Sequence, residues 1–575
     1  MVLAVVVGTL VLSILSIIIC AGLAGSMSAG GSAGLARSGI LKIDFSRVTV
    51  GEQTMPQNPL GEMSKQQMIE TIGILDAVNA IKIAAEDSGV KLIYLKTDGC
   101  SLGLATAQEI RKALADFRKN SGKPIIAYME NPGTLSYYMA SVADKVYMTS
   151  LIGGSCMLTG VGVQQIFLKD LLDKFGINFQ LIRHGKYKAA GEMFIRNSSS
   201  PENREQNQRM VDSIWESMRS EICNSRGIDE SEFDSAIDNL ELAMPEDFLS
   251  HKLVDGLLSH EEMEEKLATA SVVESFDKVK MLPFSAYTLA KVSPNYKIKR
   301  KIAVVFADGE ITEGNDSKEV AGDRFASLIA KVRCDSTVKA VVLRVNSPGG
   351  SVIASEKIKQ EIGRTQKVKP VVASFGGYAA SGGYWISNAC DKIFSDATTI
   401  TGSIGVFGLV PDFGKAAKDK LHIGVEAITT NKHGDMYNLM RPLDNDENAF
   451  WTRQIERIYD KFTSIVAEGR DMPQEKVDEI GQGRVWTGAD ALKIGLVDEI
   501  GTLQDAIVWA ALAAGNSDLS SWQILEQPAP LTTMEMMMEI FSPQPADEQG
   551  VLLGKLKECR SPKVLARMPY NISIY

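Results

Sequence analysis

The run VKPVVASFGGYAASGGYWISNACDKIF, Val368 to Phe394, has a near twin earlier in the chain: GKPIIAYMENPGTLSYYMASVADKVYM, Gly122 to Met148. Both place Lys-Pro before a short apolar run. Both carry an aromatic pair (Tyr137-Tyr138 and Tyr384-Trp385) and close on Asp-Lys (Asp144-Lys145 and Asp391-Lys392). HKLVDGLLS near Lys252 is echoed by LKIGLVDEIG near Leu496, so matched features stay about 245 residues apart. A repeat of that length is one fold used twice.

Working outward, each copy alternates strand and helix. KLIYLKTDG, the amphipathic ATAQEIRKALADFRKN and KPIIAYME follow one another in the first half. KAVVLRVNSPGG, a helix from Ala354 to Thr365 and KPVVASF do so in the second. Strands joined by helical crossovers pair in parallel, which predicts an α/β fold of two tandem β/α-layered domains. The expected boundaries are 39–284 and 301–514, with a linker at 285–300 and a tail at 515–575.

Val2 to Gly25 carries no charge and is long enough to span a bilayer. Residues 1–26 are therefore read as one uncleaved transmembrane helix and 27–38 as a flexible linker; a cleaved signal peptide is the rival. Arg37, Lys42 and Arg47 follow the run and no basic residue precedes it, which taken alone favours a cytoplasmic body. A net charge of −10 without a basic block argues against a nucleic-acid partner. Seven scattered cysteines without CxxC, and five histidines without a metal spacing, argue against a disulfide framework and a zinc site. No metal and no other cofactor is expected.

The chemistry shows in what the two halves do not share. Ser381 sits at a strand-to-helix turn among Ala379, Ala380, Gly382 and Gly383, where a nucleophile would be presented to a substrate carbonyl. Small residues there also let a helix pack closely on a sheet. At the matching place the first half has Thr134 without the double glycine, and TDGCS from Thr97 replaces NSPGG, Asn346 to Gly350. Conversely, the first half has Lys188, in RHGKYKAAGEMF, where the second half has about Gly434. One site assembled from both halves explains the asymmetry; divergence of surface residues is the plainer alternative. His184 and His433 have no carboxylate partner that sequence identifies. A lysine can serve as base if burial keeps it neutral, and Ala189, Ala190 and Met193 suit an apolar pocket. Gly349-Gly350 and the N–H of Gly382 would then form an oxyanion hole, although Pro-Gly-Gly is also an ordinary turn.

NSPGGSV from Asn346, YAASGGYWIS from Tyr378, TGSIGVFG from Thr401, GRVWTGADALKIGLVDEIG from Gly483 and GKYKAAGEMF from Gly185 together resemble the long, duplicated form of the signal peptide peptidase A family. These are Ser/Lys proteases of peptidase family S49, in the ClpP/crotonase-like superfamily. The resemblance runs from the apolar start to about residue 512. It implies Ser381 as nucleophile, Lys188 as general base, and Ser403 as a hydroxyl that orients the lysine amine. Gly382 with Gly349 or Gly350 would supply the oxyanion donors. It further implies two ClpP/crotonase-like domains, peptide substrates such as remnant signal peptides, a homotetramer, and a single-pass bacterial inner-membrane protein with a periplasmic body. Asn346 stands where many relatives have Asp. The rival functions are a crotonase-type acyl-CoA enzyme, which would need neither Lys188 nor an anchor, and a non-catalytic membrane scaffold.

Overall fold

A computed structural model describes residues 35–56, 69–151, 156–317, 319–532, 535 and 564–567. The expected anchor at 1–26 lies outside these residues. Among those described, no helix is long and apolar enough to cross a membrane.

Each half sets six parallel strands in the same spatial order, and the second sheet adds Ile400–Gly402 with Val485–Thr487 antiparallel to it. In the first half the strands run Gly256–Leu258, Lys145–Thr149, Ile125–Met129, Val90–Lys96, Gly39–Asp44, Met281–Pro283, all parallel. In the second they run Glu499–Ile500, Lys392–Ser395, Val371–Ala380, Val338–Ser347, Lys301–Asp308, Gln523–Gln527. The central strands are mostly apolar because they are packed on both faces; all five residues of Ile125–Met129 are buried. Helix Leu104–Ser121 buries Ile110, Leu114 and Phe117, spaced at three to four residues, and stops at Gly122, whose φ of 65° a side chain would strain.

Two boundaries differ from the sequence reading. Helix Phe284–Lys291 continues into the stretch read as a linker. Strand Gln523–Gln527, read as tail, completes the second sheet beside Lys301–Asp308. Its five residues are too short to show a period of two against the polar sequence around them. The five described cysteines form no disulfide.

A third, mixed sheet joins the halves. Strand Asn178–His184 leaves the first half and pairs antiparallel with Val406–Asp412 of the second, with His184 opposite Val406. Helix Pro201–Arg226 reinforces the crossing: Arg209 makes a two-pronged ion pair with Asp490, and Ser213 bonds Thr487. The first half thereby delivers the residues just after His184 into the second.

Candidate active site

Strand Val371–Ala380 ends at Ser381, and helix Gly382–Ser387 begins at once. Ser381 has φ 55° and ψ −110°, a conformation a non-glycine residue holds only when its surroundings enforce it. Two backbone bonds do so: the Ser381 N–H donates to Gly402 O at 2.8 Å, and Trp385 N–H donates to Ser381 O at 2.8 Å. The strained corner turns the hydroxyl out of the strand toward the crossing from the first half.

Lys188 arrives there four residues past strand Asn178–His184. Its Nζ lies 2.8 Å from Ser381 Oγ, 3.0 Å from Ser403 Oγ and 3.3 Å from Ser403 O. Lys188 is 1% exposed; Ser381 and Ser403 are wholly buried. Among the described residues no carboxylate compensates the amine, and burial pulls its pKa down to about 7. A neutral amine has two N–H donors and one lone pair. The donors can serve Ser403 Oγ and Ser403 O, and the lone pair then faces the Ser381 hydroxyl. Ser403 donates its own hydrogen to Gly483 O at 3.4 Å, which leaves its oxygen free to accept from the lysine.

Close backbone approach holds the lysine. Tyr187 N–H donates to Gln482 O at 2.9 Å, and Gly483 (φ 79°) packs so tightly that a Cβ there would lie 2.5 Å from Lys188 Cβ. Arg183 donates to Lys188 O at 2.7 Å and is itself held by buried Glu192 at 3.1 Å. Gly483→Ala is accordingly expected to push the amine off Ser381 and lower kcat by roughly 10²-fold, with KM little changed. Steady-state kinetics on a peptide substrate reads this directly.

The glycine turn lies against Gly382: a Cβ on Gly382 would meet Gly349 Cα and Gly350 N, both at 3.0 Å. Of the two turn amides, that of Gly349 already donates to Ser347 Oγ at 3.2 Å. Gly350 also permits no side chain, since a Cβ would fall 2.0 Å from Ile311 O. The site residues read from sequence (Ser381, Lys188, Ser403, Gly382, Gly349 and Gly350) thus come together in one buried cluster, which also includes Gly483 and Ser347. Neither of these last two was singled out by sequence; Gly483 opens the GRVWTG motif, whose glycine was the available signal.

Asn346, the departure from the Asp of many relatives, has a local reason. Its amide donates to Asp308 at 2.8 Å and its carbonyl accepts from Tyr378 N–H at 3.2 Å. Burial, and then the charge of Glu52, push Asp308 up to about 6. A second carboxylate at position 346 would repel it. The two candidate histidines lie elsewhere: His184 stacks on Tyr459 at 4.0 Å, and His433 bonds Glu447 at 3.1 Å.

The profile of Peptidase family S49 matches residues 117–274 and 363–517, one stretch in each half. A protein named Protease 4 from Haemophilus influenzae is 34% identical over 466 residues, covering 78% of this chain and 74% of its own. Protease 4 from Salmonella typhi is 33% identical over 521 residues, covering 87% and 82%. The chloroplastic serine protease SPPA of Arabidopsis thaliana is 29% identical over 486 residues, covering 83% and 71%. Among solved structures, a ClpP1 variant from Listeria monocytogenes aligns over 36% of this chain and 94% of its own, at 18% identity and a TM-score of 0.25.

Proposed function

Since the chain belongs to peptidase family S49 and is a serine protease, we propose that Ser381 is its nucleophile, Lys188 its general base, and hydrophobic or unfolded peptides its substrates. The observation that carries this reading is the 2.8 Å approach of a buried lysine amine to a serine hydroxyl 193 residues away in sequence. A scaffold has no use for an uncompensated buried lysine, and an acyl-CoA enzyme using only the oxyanion turn would not require one.

In the proposed cycle, neutral Lys188 takes the proton as Ser381 Oγ bonds to the scissile carbonyl carbon. The N–H groups of Gly382 and Gly350 hold the oxyanion; the Gly349 N–H, engaged by Ser347, supports the turn instead. Lys188 then gives its proton to the departing amine and later draws one from the water that splits the acyl-enzyme. Ser403 keeps the amine aimed throughout. We place the enzyme at a bacterial inner membrane on an N-terminal single-pass anchor, with a periplasmic body, a homotetrameric assembly and cleaved signal peptides among its substrates. The family resemblance and the uncharged Val2–Gly25 run support that placement.

The test is cleavage of a signal-peptide-like substrate by the wild type and by Ser381→Ala. The variant is expected to lose at least about 10⁴-fold in kcat/KM; equal turnover would remove Ser381 from the mechanism. The pH profile adds a signature. A base must be neutral to act, so kcat/KM is expected to rise with pH and level off above an apparent pKa of about 7.

A further inference from the structure

Gln206 lies in helix Pro201–Arg226 of the first half and is 2% exposed. Its amide is used at both ends. Nε2 donates to Tyr187 O at 3.0 Å and to Asn203 Oδ1 at 3.2 Å, and Oε1 accepts from Val485 N–H at 3.2 Å. A reversed amide would set oxygen against two oxygens and N–H against N–H, so these partners fix its orientation. Tyr187 immediately precedes Lys188. Val485 opens strand Val485–Thr487 and stands opposite Gly402, whose carbonyl accepts from Ser381 N–H. The carbonyl of Arg484, one residue before, accepts from Ser403 N–H at 2.7 Å. One side chain therefore joins the backbone of the lysine to the strand pair that holds both of the serines its amine meets.

The same helix turn also reaches the far side of the lysine's backbone. Asn203, one turn before Gln206 and equally buried, donates from Nδ2 to Glu192 Oε2 at 3.2 Å. Glu192 Oε1 pairs with Arg183, and Arg183 donates to Lys188 O at 2.7 Å. Gln206, Asn203, Glu192 and Arg183 thus close a hydrogen-bonded ring on Tyr187 O and Lys188 O, the carbonyls on either side of Lys188 Cα. A lysine side chain is a flexible four-carbon stem, so an amine with a fixed position needs a fixed backbone to start from.

Resting on the Ser381/Lys188 reading, we propose that Gln206 is a positioning residue for this protease: by spanning Tyr187 O and Val485 N–H, it holds the lysine amine where proton transfer from Ser381 needs it. It acts through the backbone rather than on the reacting atoms. Glutamate would not serve in its place. A carboxylate accepts from Val485 N–H but cannot donate to Tyr187 O, and its charge would favour the ammonium form of the lysine. The carboxylates already near this loop are paired, Glu192 with Arg183 and Glu205 with Arg484.

Steady-state kinetics of the full chain on a fluorogenic hydrophobic peptide, measured across pH, test this. Gln206→Met keeps the length of the side chain and removes its bonds. It is expected to lower kcat by roughly 10- to 100-fold with KM little changed. It is also expected to move the rise of kcat/KM upward from about 7, because a loosened loop lets water reach the amine. Gln206→Asn, one methylene too short to span both partners, is expected to shift both readouts less, and it serves if the methionine variant does not fold. Ser213→Ala is the control: it removes the bond to Thr487 from the same helix without touching the ring, and is expected to keep the wild-type kcat and pH profile. Wild-type kcat and pH profile in a folded Gln206 variant overturn the proposal. Equal losses in Gln206→Met and Ser213→Ala also overturn it, because docking of the helix, not its amide, then sets the rate. Full turnover by Ser381→Ala overturns the Ser381/Lys188 reading itself, whatever the Gln206 variants do, and the proposal with it.

Discussion

Replacing Lys188 by methionine is expected to lower kcat/KM by about 10⁴-fold and, at the same time, to make the protein more stable. In the proposed cycle the loss follows from removing the base from acylation and its proton from the leaving amine. The gain follows from linkage. The lysine titrates near 7 when folded but at an ordinary lysine value of 10.5 when unfolded, because burial penalises the charged form. Between those values the unfolded state binds more protons, so the stability of the wild type rises with pH from about 7 to about 10.5. Below pH 7 the full cost, on the order of 5 kcal/mol, is present. Methionine carries no such cost, but it leaves Ser381 and Ser403 without their amine partner. The net gain is therefore expected at a few kcal/mol at neutral pH, shrinking as pH rises toward 10. Urea denaturation of both proteins at pH 7 and pH 9.5 measures it. Methionine at 188 that destabilises equally at both pH values would show that the lysine is not neutralised by burial.

The two sheets and the pairing of Lys188 with Ser381 were legible because they leave periodic or paired traces. Strand–helix alternation is local, and the repeat turns each half into a reference for the other: Thr134 against Ser381, and Lys188 against a loop near Gly434. The route by which the lysine arrives was not legible. Asn178–His184 pairs with a strand of the other half, whereas the residues at the repeat-equivalent place, about 423–429, form no strand and are exposed. The same fold position thus takes two structures, decided by which edge is within reach rather than by propensity. Strand Val564–Arg567, which lies between Gly349–Ser351 and Val406–Asp412 in the mixed sheet, escaped for the same reason: four residues acquire their meaning only from the two edges beside them. Glu52, Glu109 and Arg344 read as ordinary charged residues, since nothing in a sequence distinguishes a buried ion from a solvated one.

Arg344→Met is expected to destabilise the protein by roughly 3–5 kcal/mol, lowering its melting temperature by about 10 °C. Arg344 is 1% exposed in strand Val338–Ser347, which leads into the Gly349–Gly350 turn. It reaches Glu52 at 2.7 Å and Glu109 at 2.7 Å, both from the first half. It also donates to Ser374 Oγ and Phe375 O, each at 3.0 Å, on the strand that ends at Ser381. One guanidinium thus ties the strand of the glycine turn to the strand that ends at Ser381, and both to the other half. Burial alone would lower its pKa, but the carboxylates of Glu109 and Glu52 outweigh this and keep it charged. Without it, those carboxylates remain in a dry interior beside Asp396, whose pKa burial and then Glu109 already hold well above the usual range. Glu109 is itself pushed up by burial against the pull of Arg344, and loss of that pull would push it further. Groups whose folded pKa is raised bind protons the unfolded chain has released, so they stabilise at low pH and lose that contribution as pH rises. The deficit of Arg344→Met is therefore expected to be smaller at pH 5 than at pH 8. Arg344→Lys restores the charge but not the fork that reaches four partners, so it should recover only part of the stability. Thermal denaturation of the three proteins at both pH values decides it: a pH-independent deficit would mean that packing around the side chain, not its charge, holds the two halves together.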